Sequence, residues 1–155
     1  MKIFSSEITL QVDKFKKTTW VYSAEIPNDN VEGRGCDNRI TDCLDARFRS
    51  FYSKNNKLIF TQIYFVASIP DWMFFNSAVL DDGTDLRFRE IYRRVFTGDS
   101  LQETFAVDLN SNLFEKMKKR VYKVSIRGKF GDWVLKIPIE IVTTFDDFTK
   151  NKFPQ

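Results

Sequence analysis

The stretch Leu58-Ile59-Phe60-Thr61-Gln62-Ile63-Tyr64-Phe65-Val66-Ala67-Ser68-Ile69 decides the fold class. It is a nearly unbroken run of apolar, aromatic and β-branched residues. Such residues suit a pleated surface, and a strand apolar on both faces belongs in the middle of a sheet. Pro70-Asp71 ends the run, because proline cannot donate to a ladder.

Working outward, the neighbouring segments alternate apolar and polar residues, the period-2 signature of strands. Upstream, Leu44–Tyr52 places Leu44, Ala46, Phe48 and Tyr52 inward and Asp45, Arg47 and Arg49 outward. Before it, Thr18–Ile26 and Glu7–Val12 alternate as well. Trp20, Tyr22, Ala24 and Ile26 share one side of the first, and Ile8, Leu10 and Val12 one side of the second. Residues 27–43 read as a polar loop. Downstream, Trp72–Leu80 and Leu86–Phe96 flank Asp81-Asp82-Gly83-Thr84, where glycine supplies the positive φ of a hairpin turn. Leu101–Val107 follows a turn at Thr97-Gly98-Asp99-Ser100.

The period then changes. Leu113, Phe114 and Met117 have helical spacing over 111–119. Asn112 with Glu115 resembles a capping box, and Lys116, Lys118, Lys119 and Arg120 suit the end of a helix dipole. Val121–Ile126 and Trp133–Ile137 form another hairpin around Gly128-Lys129-Phe130-Gly131-Asp132. After Pro138, Ile141, Val142, Phe145 and Phe148 fit one face of a final helix. The expectation is one domain over 1–155. It is mainly β, an antiparallel sandwich or barrel-like sheet of about eight strands, with one or two short helices toward the C-terminus.

Composition narrows the chemistry. The 155 residues are 43% hydrophobic and include 16 phenylalanines, which argues against disorder. Lys+Arg number 24 and Asp+Glu 21, a balance that does not make nucleic acid the default partner. There is no histidine. That removes Ser-His-Asp and Cys-His nucleophile systems and every histidine-ligated metal site. No apolar run approaches the roughly 20 residues of a membrane-spanning helix, and the N-terminus lacks the apolar core of a secretion signal. As given, the chain reads as cytoplasmic. If Met1 replaces a removed leader, it reads as periplasmic or envelope-anchored.

Candidate sites are few. Cys36 and Cys43 are the only cysteines. Six residues separate them, which is neither a redox nor a zinc spacing. They are either a disulfide clipping the polar loop in an oxidising compartment or two free thiols. Asp81, Asp82 and Asp85 surround Gly83 without the spacing of a calcium loop and read as a hairpin turn. Glu103 shares a strand face with Leu101, Phe105 and Val107 and is expected to pair with an arginine at a sheet edge. Asp146 and Asp147, or Glu103 with a distant partner, are the available acid/base carboxylates, and they read as ordinary charge. Trp72-Met73-Phe74-Phe75 reads as core. Gly128-Lys129-Phe130-Gly131 lacks the spacing of a phosphate loop. Arg87, Arg89 and Arg93 project from one strand face, with the aromatics of that strand on the other. They are the candidate contact for an anionic surface.

Four stretches carry a resemblance. They are Asp13–Trp20, Trp72–Ala78, Asp82–Leu86 and Val124–Lys129, spread from residue 13 to residue 129, so the resemblance spans most of the chain. They resemble a group of uncharacterised small bacterial proteins without an assigned activity, some with a lipoprotein-type leader. The resemblance implies bacterial origin and a cell-envelope location. It implies no site, and the Cys36–Cys43 loop is not part of it.

No motif assigns an activity. The leading expectation is a non-enzymatic β-rich binding or interaction domain, with no cofactor and no metal site. Its partner is unknown, either another protein or a second copy. The alternatives are a histidine-free carboxylate hydrolase, and weak binding of an anionic polymer through the arginine strand.

Overall fold

The computed structural model describes residues 7–32, 43–95 and 100–155. Phe96, the turn at 97–99, Cys36 and most of the polar loop lie outside the described residues.

The described residues form nine strands and two helices. The strands are β1 (Thr9–Asp13), β2 (Thr18–Tyr22), β3 (Cys43–Tyr52), β4 (Leu58–Ile69), β5 (Phe75–Leu80), β6 (Asp85–Val95), β7 (Leu101–Leu109), β8 (Tyr122–Gly128) and β9 (Gly131–Ile137). The helices are α1 (Ser111–Lys119) and α2 (Ile139–Lys152). The sheet order is β1-β2-β3-β4-β7-β6-β5-β8-β9, and every pairing is antiparallel. The sheet curls into a half-barrel. β4 lies inside the sheet between β3 and β7, as its two-sided apolar character requires.

The inner face carries the core. Phe105 of β7 is its hub, with ring centroids 5.1 Å from Phe65, 5.1 Å from Phe88 and 5.2 Å from Phe75. Phe75 continues the chain of rings to Trp133 of β9 at 5.4 Å. The helices close the inner face over β3. Phe48 meets Phe114 of α1 at 5.7 Å and Phe145 of α2 at 5.8 Å, and Tyr52 stacks on Phe153 at 4.2 Å. The α1 cap differs from the expected one. Asn110, not Asn112, accepts the hydrogen bond from the Leu113 N–H at 2.9 Å, two residues earlier than the capping-box pattern suggests.

The β4–β5 connection sets the topology. Strands β5, β6 and β7 are a meander, yet β4 pairs with β7, so residues 70–74 must cross two strands to reach β5. This is a Greek key. The expected strand beginning at Trp72 starts only at Phe75, for a physical reason. β5 and β6 pair only at Ala78↔Leu86 and Val79↔Asp85, beside the turn, and then diverge. Side chains replace the missing ladder. Glu103 is 2% exposed, and its carboxylate accepts the N–H groups of Met73 (2.8 Å), Phe74 (3.0 Å) and Phe75 (3.0 Å). Arg93 donates to Glu103 at 3.0 Å and to the Phe75 carbonyl at 3.2 Å. Phe74 is held at φ +51, a region that a bulky residue enters only when its surroundings impose it. Gly128 lets this crossover lie close. A Cβ there would sit 2.5 Å from the Met73 carbonyl oxygen.

Glu103 therefore pairs with an arginine, but inside the sheet and not at an edge. Trp72–Phe75 is also not wholly core. Phe75 is buried, whereas Phe74 is exposed and lies 6.0 Å from the exposed ring of Phe130.

Glu103→Ala leaves the Met73, Phe74 and Phe75 N–H groups without their acceptor and removes the buried anion paired with Arg93, and is expected to cost about 3–5 kcal/mol in urea unfolding. Gly128→Ala is expected to cost about 1–3 kcal/mol, through the clash with Met73.

Candidate functional site

Among the described residues the helices cover one face of the sheet and leave the other without a helix. Cross-strand partners share a face, so the register shows which residues lie there. From β2 to β6 they are Trp20 and Tyr22, then Arg47, Arg49 and Phe51, then Phe60, Gln62 and Tyr64, then Asp108, and finally Arg87, Arg89, Tyr92 and Arg94.

Guanidinium groups and rings interleave on this face. Arg49 lies between Trp20, at 4.5 Å from the ring centroid, and Tyr64, at 4.1 Å. Burial lowers its pKa, opposed mainly by Tyr22 and Tyr64. Arg47 lies over Tyr22 at 5.4 Å, and Arg94 over Tyr92 at 5.3 Å. Trp20, Phe51 and Phe60 form a ring cluster with centroid separations of 4.7 to 5.6 Å. A hydrogen-bonded chain links four strands. Arg49 donates to Gln62 at 3.0 Å, Gln62 donates to Asp108 at 2.9 Å, and Arg89 donates to Asp108 at 2.7 Å. Acidic groups offset part of the charge. Glu25 pairs with Arg47 at 3.2 Å, and Asp45 has its pKa raised by burial first and by Glu25 second.

This arrangement corrects two expectations. Arg87, Arg89 and Arg93 do not share a face. The β6–β7 register shifts between Glu90 and Tyr92, so one extra residue reverses the alternation. Arg87 and Arg89 stay on the helix-free face, while Arg93 turns to the Glu103 side. The aromatics are likewise not confined to the core. The bulge brings Tyr92 onto the arginine face, and Trp20 and Tyr22 lie there too. No glycine or proline marks the bulge, so the sequence offered no signal for it.

A second place is a cleft of about 690 Å³ between the ends of β3, β4 and β7 and the two helices. It brings Glu115 of α1 and Asp146 of α2 together. Both carboxylates contact the Lys150 ammonium, at 3.4 and 2.9 Å, and both pair with Lys118. Asp146 Oδ2 is thus held by ion pairs, not by well-aligned hydrogen bonds. The Glu115 pKa is lowered, chiefly by its bond to Lys118, and the Lys118 pKa is raised, chiefly by Asp146. In the cleft the Ser50 and Thr61 hydroxyls bond each other at 2.7 Å, and the Thr149 hydroxyl donates to the Phe145 carbonyl at 3.0 Å. Asp147 is exposed and does not line the cleft. These groups lock α1 to α2.

The Asp81-Asp82-Gly83-Thr84 hairpin forms as expected, with Gly83 at φ +90. Its carboxylates serve α1. Asp82 pairs with Lys116 at 2.5 Å, and Asp81 with Arg120 at 3.2 Å. The bond to Lys116 is the main cause of a strongly lowered Asp82 pKa. Among the described residues no group of three or more His, Cys, Asp or Glu could hold a metal ion. No described helix is long and apolar enough to cross a membrane. Cys43 is a buried residue at the start of β3, and the Cys36–Cys43 pairing itself falls outside the described residues. No family model, curated protein or solved structure matches this chain.

Arg93→Ala removes the counter-charge of the buried Glu103 carboxylate, which keeps only its backbone donors, and is expected to destabilise by about 3–5 kcal/mol, whereas replacing the 73% exposed Arg87 with Ala changes stability by less than about 0.5 kcal/mol. Chemical denaturation of the two variants separates these roles. Asp82 and Glu115 have folded pKa values below their ordinary 3.8 and 4.5. Their contribution is fully present above those ordinary values and is lost as pH falls through the lowered folded ones. A urea midpoint that is flat above pH 5 and falls below about pH 4, less steeply in Asp82→Asn, is the expected result.

Proposed function

We propose that the chain is a non-enzymatic binding domain that holds an extended anionic polymer on the helix-free face of its sheet. One observation carries the reading. The bulge in β6 puts Tyr92 and Arg94 with Arg87 and Arg89 on the same face as the Arg49–Trp20–Tyr64 stack, with β7 and its Asp108 between the two groups. Guanidinium groups contact anionic groups bidentately, and rings take the flat parts of a polymer between them. The acidic residues on the same face reduce its net charge, so binding is weak and dependent on salt.

The carboxylate hydrolase is less well supported. A histidine-free acid/base pair needs one carboxyl whose pKa is raised in the site. Both cleft carboxylates are instead committed to lysines.

Heparin-agarose is the probe. The protein is expected to be retained at low salt and to elute as salt rises. Replacing Arg87, Arg89 and Arg94 with Ala together is expected to lower the eluting salt, with a binding slope shallower by about one per contacting arginine. Absence of retention, or an elution unchanged in the triple variant, overturns the reading. Location in the envelope is carried as an expectation from the resemblance. Cys36 and Cys43 that resist a thiol probe in the unfolded, unreduced protein support an oxidising compartment.

A further inference from the structure

The two outermost strands of the described sheet are treated differently. The β9 edge is covered. Val31 bridges to Leu135, the Glu32 N–H donates to the Val134 carbonyl at 2.8 Å, and the Asn30 amide donates to the Lys136 carbonyl at 3.2 Å. At the other end, β1 pairs only with β2 among the described residues, and all five of its residues are exposed. Exposed edges are normally blunted by prolines, lysines or a covering loop. β1 reads Thr-Leu-Gln-Val-Asp, with its single charge at the end. Leu10 is 41% exposed and Val12 58%, and both lie on the inner side of the sheet, since Leu10 partners Val21 across the ladder.

The strand is complementary to itself. In an antiparallel pairing centred on Gln11, Leu10 of one copy faces Val12 of the other, twice. Thr9 faces Asp13, also twice, and no like charges oppose. Apolar pairs directly across a ladder are stabilising, about 0.2–1 kcal/mol each. We propose that β1 is the interface through which two copies of this chain pair edge to edge. The two-fold axis stands perpendicular to the sheet at Gln11 and makes one continuous sheet.

Five residues per copy bury well under the roughly 1,200 Å² of a standard interface. The dimer is therefore weak and populated only at high protein concentration. Such an axis keeps the two helix-free faces on the same side. A polymer spanning both copies then gains avidity, a consequence that rests on the polymer reading, although the pairing itself does not.

Sedimentation velocity of the protein alone, across a concentration series reaching about 1 mM, tests the pairing. The expected result is reversible dimerisation that Leu10→Lys with Val12→Lys abolishes. Val95→Lys, at an exposed position on β6, leaves it intact. In the unaltered chain, hydrogen-exchange protection of the β1 amides rises with concentration, which reads the interface without any variant. A single-chain mass throughout, or a dimer that survives the β1 double variant, overturns the proposal. The polymer reading fails separately, on heparin.

Discussion

A buried carboxylate stands where a β ladder is missing. β5 and β6 diverge beyond Ala78↔Leu86, and the chain between β4 and β5 arrives across the gap with its N–H groups turned toward Glu103. Glu103 accepts three of them, and Arg93 takes the Phe75 carbonyl. Burying an ion costs several kcal/mol, and only dense hydrogen bonding offsets it. Here the hydrogen bonds are the ones a strand would otherwise have made. With the crossover anchored, Phe75 reaches Phe105 and Trp133, and the β5-β8-β9 half of the sheet joins the β1-β2-β3-β4-β7-β6 half through one core.

The same constraint shapes the outer surface. Arg93 reaches Glu103 only because the extra residue near Ile91 reverses the side-chain alternation of β6. The reversal leaves Arg87 and Arg89 outside and carries Tyr92 and Arg94 to join them. The device that completes the core thus composes the arginine–aromatic face. A carboxylate network between α1 and α2 holds the helices on the inner side, which leaves that face without a helix.

Much of the architecture was legible because burial on one face imposes a period. The central position of β4 followed from its two-sided apolar run, and the Gly83 turn from its need for positive φ. The hairpin of β8 and β9 and both helices followed from their spacing. The Asn110 cap was missed by two residues, since Asn112 offers the same chemistry in sequence and only backbone geometry chooses between them. The unusual burial of Glu103 could be suspected from its apolar strand-mates. Its three backbone partners lie about thirty residues away and leave no local trace.

By itself the sequence determined a mainly antiparallel β domain with helices toward the C-terminus, the identity of most core residues, and the exclusion of histidine chemistry. These depend on local period and residue type. Tertiary structure decided the strand order, the crossover, the bulge, and therefore which arginines and rings share a surface. Those depend on pairings between segments distant in sequence. A one-residue shift in such a pairing sends every later side chain to the opposite face, with no change in the local pattern.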